Sequence, residues 1–297
     1  MKILYKKYTA DDYIEIAKQA EEWIRTTERK TAYGKRWDQS PDSDENFDDY
    51  SMLTQKALYG GSAGVGLFYL RLYEATGEEE YLENAEEAAA DIIATDEGAE
   101  FYTDILNAGN KVEDKLVHVK NMPGWIIGLF NGPTGEAFFV LKLYEVTKKE
   151  RYLDYVRKVA DDLLSVAKED AAGIYWSEQY DYVGDGGFAL FFVSVYKATG
   201  EEKYLNAATA IGTFLLPKGA DAPRGGKYWN VVDLSIIDFP DDVFWVNILV
   251  SRNRKSGNLE IGVPVLGNRL FCAWLLVHFY GDISQGLAAS AVRSSLY

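Results

Sequence analysis

The chain has one cysteine and two histidines among its 297 residues. A lone cysteine, Cys272, excludes an intrachain disulfide, and with His118 and His278 it makes a thin supply of soft metal ligands. Basic residues are also short: 31 Lys and Arg stand against 46 Asp and Glu, a formal charge of −15. Such a surface repels phosphate backbones and anionic lipid, which argues against nucleic acid and membrane as partners. No run of about 18 apolar residues occurs, so no segment reads as a membrane span. The stretch "MKILYKKYTADDY" at the start is basic but has no apolar run of signal-peptide length. The expected compartment is the cytoplasm.

Core material is plentiful. Apolar residues make up 47% and aromatics 14%, with 21 tyrosines, which suit walls that are apolar on one side and wet on the other.

One pattern occurs three times. "GGSAGVGLFYLRLYEATGEEEYLENA" from Gly60, "NGPTGEAFFVLKLYEVTKKERYLDYV" from Asn131 and "VGDGGFALFFVSVYKATGEEKYLNAA" from Val183 share a register. Gly61, Gly132 and Gly184 coincide, as do Gly64, Gly135 and Gly187. Tyr73, Tyr144 and Tyr196 align, then Thr76, Thr147 and Thr199, then Tyr81-Leu82, Tyr152-Leu153 and Tyr204-Leu205. The unit is constant and the connection varies, as in helical repeat proteins.

Each unit reads as a helical hairpin, near 60–96, 131–168 and 183–216. The first helix, over 63–75, 134–146 and 186–198, is apolar nearly all round and therefore buried on most sides. "ATG" stops it, because Gly77 and Gly200 suit a left-handed C-terminal cap. Lys148 stands there in the second unit and predicts a weaker cap. The second helix is amphipathic: Leu82, Ala85, Ala89, Ile92 and Ile93 fall on one face, as do Leu153, Val156, Ala160, Leu163 and Leu164. A further amphipathic helix is predicted over 11–26, followed by a polar loop, "GKRWDQSPDSDENFDDYS". A buried helix with an outer amphipathic one, repeated, predicts an all-α fold, an incomplete α/α toroid over residues 1–245. The corner glycines allow sharp turns and close approach.

The in-register segments resemble the lanthionine synthetase C-like family over roughly residues 13–245. The resemblance implies a double-layered α/α barrel. It implies an activity that adds a peptide cysteine thiol to a dehydrated serine or threonine, with zinc held by two cysteines and a histidine. The family's Cys-His dipeptide precedes a repeat glycine. Here those places hold Tyr59-Gly60, Phe130-Asn131 and Tyr182-Val183, and "GWIIG" has Ile126 where the family has its other cysteine. The resemblance therefore implies a truncated cyclase, inactive as written, with no zinc or other cofactor in this chain.

Residues 246–297 lack the hinge motif and form an atypical tail. The codons for "VSRNR" (250–254), read one base later, can spell Cys-His-Gly-Thr-Ala, so the tail is expected to be frame-shifted; the rival is a divergent C-terminal cap. Cys272 and His278 read as core residues, and His118 as a loop residue.

Loops before the inner helices gather at one end of a toroid. They carry Trp125, Asn131, Glu136, Trp176, Glu178, Asp181 and Asp185 as candidate substrate-binding residues, with the catalytic residues unassigned and no metal site. Paired carboxylates beside aromatic platforms are what a sugar-processing toroid uses. Against that, Asp185 also reads as an N-cap and Glu136 as a first-turn acid. Two alternatives to the cyclase stand: a carbohydrate-active toroid (glycosidase or sugar epimerase) and a non-catalytic peptide-binding toroid. The partner is a peptide or a small molecule, and open barrel flanks predict self-association.

Overall fold

The computed structural model describes residues 9–38, 55–108, 126–176, 185–221, 227–228, 249–252 and 259–262. The chain divides into two compact units. One is Met1–Gln179 with Val183–Gly212, and the other is Tyr180–Tyr182 with Thr213–Tyr297.

The first unit opens on α1 (Ala10–Thr26). Thr9 caps it: its side chain accepts from the Asp12 N–H at 3.2 Å, and the Asp12 carboxylate accepts from the Thr9 N–H at 2.7 Å. A short antiparallel hairpin follows, β1 (Glu28–Lys30) with β2 (Lys35–Trp37). The polar stretch from Gly34 thus begins as a strand and not as the expected loop. The cause is burial: Trp37 packs on Tyr69 at a ring distance of 5.6 Å, and Arg36 enters the helical layer.

Three helical hairpins then follow. Their inner helices are α2 (Ser62–Thr76), α5 (Pro133–Thr147) and α7 (Asp185–Thr199). Their outer helices are α3 (Glu79–Ala94), α6 (Glu150–Ser165) and α8 (Glu202–Leu215). An additional helix, α4 (Gly98–Ala108), packs on α6. Inner helices pack on one another in chain order, α2 on α5 and α5 on α7, while α3 and α6 back onto their own inner partners. This is the all-α architecture of an α/α toroid, as the repeat predicts. Leu67, Tyr69, Leu70, Phe139, Leu141, Phe188 and Phe191 fill the interior, and each such side chain contributes about 1.5–3 kcal/mol of burial.

The recurring hinge has a physical reason. Thr76, Thr147 and Thr199 each donate their hydroxyl to the carbonyl four residues back, on Leu72, Leu143 and Val195, at 2.8–2.9 Å. The same oxygens accept from the N–H groups of Glu78, Lys149 and Glu201, two residues on. One side chain thereby closes the inner helix and holds the turn into the outer one. Between them Gly77 (φ 72°), Lys148 (φ 55°) and Gly200 (φ 72°) take the left-handed conformation.

Outer helices are tied sideways by ion pairs. Lys18 meets Glu78 at 2.5 Å, Arg25 meets Glu80 at 2.6 Å and Lys203 meets Asp161 at 2.7 Å. Lys149 pairs with Glu86. These pairs are partly exposed, so water and salt screen them and each adds little to stability. No described helix is long and apolar enough to cross a membrane. After α6 comes a small hairpin, β3 (Lys168–Asp170) with β4 (Gly173–Tyr175). The second unit contains a four-stranded antiparallel sheet: β5 (Ala220–Asp221), β6 (Lys227–Tyr228), β7 (Leu249–Arg252) and β8 (Leu259–Gly262), in that order. Apart from β7 and β8, the tail after residue 245 lies outside the described residues.

Candidate functional site

Two corners lead into α2 and α5, and they are built alike. The Gly61 N–H donates to the Ala57 carbonyl at 2.8 Å, and the Gly132 N–H to the Gly128 carbonyl at 3.1 Å. In each, a first-turn hydroxyl reaches back seven residues: Ser62 to the Gln55 carbonyl at 3.1 Å, Thr134 to the Ile127 carbonyl at 2.7 Å. A Cβ at Gly64 would strike the Leu58 carbonyl oxygen, and one at Gly135 would strike that of Leu129 and come within 2.9 Å of the Leu58 Cβ. Only glycine lets the helix start so close to its own approach.

The two corners touch. The Tyr59 N–H donates to the Phe130 carbonyl at 2.9 Å. Leu58 and Leu129 are buried beneath them, while Tyr59 is 53% exposed. Asn131, which follows Phe130, has a buried Nδ2 without a hydrogen-bond partner. The first corner is braced from behind. Asp91 on α3 accepts from Arg36 Nε at 2.5 Å, Arg36 Nη2 at 3.2 Å and Thr31 at 2.7 Å, and Arg36 Nη1 donates to the Gln55 side chain at 2.9 Å.

Because α3 runs antiparallel to α2, its end returns to the corners. Lys56 confirms the meeting: its Nζ donates to the Thr95 carbonyl at 2.9 Å and lies 3.7 Å from Glu136 Oε2. Lys56 is 2% exposed and Glu136 1%. Taking a carboxylate out of water costs several kcal/mol, and an ion pair at this distance offsets only part of it. Burial therefore pushes the Glu136 carboxyl up to about 7; Lys56 pulls it down, and Asp96 and Glu97 add to the rise. Glu136 Oε1 has no hydrogen-bond partner.

Other polar groups surround it. Tyr155 on α6 is buried, its hydroxyl has no partner, and burial followed by Glu136, Asp96 and Asp162 holds its pKa well above the usual tyrosine value. Tyr102 on α4 donates to Asp96 Oδ1 at 2.9 Å, and Lys158 on α6 pairs with Asp96 at 2.5 Å and with Asp162 at 2.9 Å. The arrangement supplies one carboxyl able to give or take a proton near pH 7, below a corner that carries an exposed aromatic ring and an amide donor.

Of the sequence candidates, Asn131 and Glu136 come together at the second corner. Glu136 sits in the seam between hairpins and not on the open rim. Trp176 is 0% exposed and belongs to the core: it stacks on Phe188 at 4.3 Å and Phe192 at 5.8 Å, and its Nε1 donates to the Leu163 carbonyl at 2.8 Å. Asp185 begins α7. Trp125, Glu178 and Asp181 lie outside the described residues, as do His118, Cys272 and His278. Among the described residues no group of three or more His, Cys, Asp or Glu is placed to hold a metal ion. Sequence reasoning passed over Lys56, Asp96, Tyr102 and Tyr155. The one signal available was a lysine set directly before the apolar corner "ALYGG".

No family model matches the chain, and no curated protein matches it. Solved structures of similar fold include a family 76 glycoside hydrolase (mannosidase) from Bacteroides thetaiotaomicron VPI-5482, at 18% identity over 78% of this chain and 56% of that one, with a TM-score of 0.39. Another is the GH76A α-1,6-mannanase from Salegentibacter sp. HEL1_6, at 15% identity over 84% and 59%, with a TM-score of 0.48. A third is a D-mannose isomerase, at 17% identity over 74% and 60%, with a TM-score of 0.44. The chain spans less than two thirds of the length of each. The resemblance to the lanthionine synthetase C-like family is corrected by these findings: no family model supports it, and these structural neighbours are sugar-active proteins. The repeat that suggested it encodes the hinge and corner geometry of a toroid, which is a matter of fold. The truncated-cyclase and peptide-modification readings fall with it.

Proposed function

We propose that the protein is a carbohydrate-active α/α toroid that takes a neutral sugar at the corner end of its inner helices. The observation that carries this reading is Glu136, a sealed carboxyl pushed to about 7, with one oxygen unpaired, at the end where the corners gather. A carboxyl of this kind protonates a glycosidic or ring oxygen, the step that glycosidases and sugar isomerases share. Tyr59 offers a ring face to a pyranose, and Asn131 Nδ2 offers a donor to a hydroxyl. The net charge of −15 disfavours anionic sugars. A single cysteine is in keeping with a reducing compartment, and the cytoplasm is the proposed location.

The test is a panel of neutral reducing sugars and oligosaccharides, with mannose and α-1,6-linked mannosides first, assayed for reducing-end release and for isomerisation. Turnover that E136Q abolishes supports the reading. Absence of both binding and turnover across the panel overturns it.

A further inference from the structure

We propose that Lys56 is a positioning residue for Glu136: its ammonium, anchored on the end of α3, takes Oε2 of the carboxyl and leaves Oε1 as the oxygen that meets substrate. This rests on Glu136 being the acid of a carbohydrate site.

Three elements converge here. Lys56 enters from the 55–61 corner, Glu136 from α5, and the Thr95 carbonyl from the end of α3. The hydrogen bond to Thr95, at 2.9 Å, fixes the ammonium independently of the carboxyl. The ion pair, at 3.7 Å, is then a directional field and not a tight hydrogen bond. Only one carboxyl oxygen is engaged. Among the described residues, the other groups coupled to Glu136 are anionic or neutral: Asp96 and Glu97 beyond α3, Tyr102 on α4 and Tyr155 on α6. Lys158 on α6 is taken by Asp96 and Asp162. Among the described residues Lys56 is therefore the cation that orients the carboxyl, and it opposes the upward push of burial.

The experiment compares K56M and K56R with wild type in the full chain. The first readout is the titration of the Glu136 carboxyl, followed as the infrared difference between each protein and its E136Q counterpart; it needs no substrate. The second is the pH profile of kcat on the sugar found in the panel. K56M is expected to move the carboxyl titration upward by about one pH unit or more, and K56R to restore it. The corresponding limb of the kcat profile moves with it, while KM stays within about twofold. A structural lysine would change the melting temperature and leave the kcat profile in place, which overturns the proposal. So does a carboxyl titration that K56M leaves unmoved. If K56M does not fold, the K56M/E136Q pair decides: recovery of folding when both charges are removed supports the partnership, and no recovery contradicts it. Should the titration move as expected while wild type turns over no sugar, the carbohydrate reading fails and the coupling of Lys56 to Glu136 stands.

Discussion

Raising the pH is expected to destabilise the helical unit, and replacing Glu136 with glutamine is expected to remove that dependence. The sign follows from the direction of the shift. Glu136 rises from an ordinary 4.5 to about 7 in the folded chain, first because it is buried. The folded state thus holds a proton that the unfolded state releases. Its contribution is complete below about 4.5 and is lost as pH climbs through about 7. At about 1.4 kcal/mol per pH unit the loss is about 3 kcal/mol, a large part of the stability of an ordinary domain. Other groups titrate too. Asp12, lowered by its bonds from the Thr9 backbone N–H and then the Thr9 side chain, acts in the opposite sense as pH falls. The informative quantity is therefore the difference between wild type and E136Q. Urea unfolding followed by circular dichroism at pH 5, 6, 7 and 8 measures it. Wild type should lose about 2–3 kcal/mol relative to E136Q between the extremes. Two parallel pH curves would refute the reasoning, because they would mean that Glu136 is charged and solvated in the folded chain.

Two substitutions probe the scaffold that positions the site. G135A places a methyl against the Leu129 carbonyl and the Leu58 side chain, so it should cost about 2–3 kcal/mol in chemical denaturation and loosen the corner. An unchanged midpoint would mean that the corner has room to give. K148G replaces the one described non-glycine residue with positive φ, at the hinge where the other two hairpins have glycine, and should stabilise by about 0.5–1 kcal/mol. A lower melting temperature would contradict the strain argument.

Much of the scaffold was legible because its determinants are local. The inner helices were expected over 63–75, 134–146 and 186–198 and run one residue further at each end. The tyrosine-threonine hinge repeats because a threonine hydroxyl serves two backbone groups within six residues. The corner glycines repeat because the carbonyl they approach is six residues upstream. The site is a different matter. Lys56 and Glu136 are 80 positions apart, and their meeting depends on how α3 returns between two hairpins, which no periodicity records. Trp176 shows the reverse error of inference: a tryptophan before an inner helix has the composition of a platform, yet Phe188 and Phe192, one and two turns along α7, draw it into the core. Family kinship misled for the same reason. Repeats that encode turns and caps specify a toroid, and a toroid does not specify its chemistry.

The most direct test of the central claim is calorimetric titration of the full chain with neutral mannose-based mono- and oligosaccharides at pH 7, run beside E136Q and a Tyr59→Ala variant. Saturable binding that Y59A weakens at least about tenfold, with turnover that E136Q abolishes, is the predicted result. No heat of binding with any sugar, or binding and turnover that neither substitution alters, would contradict it.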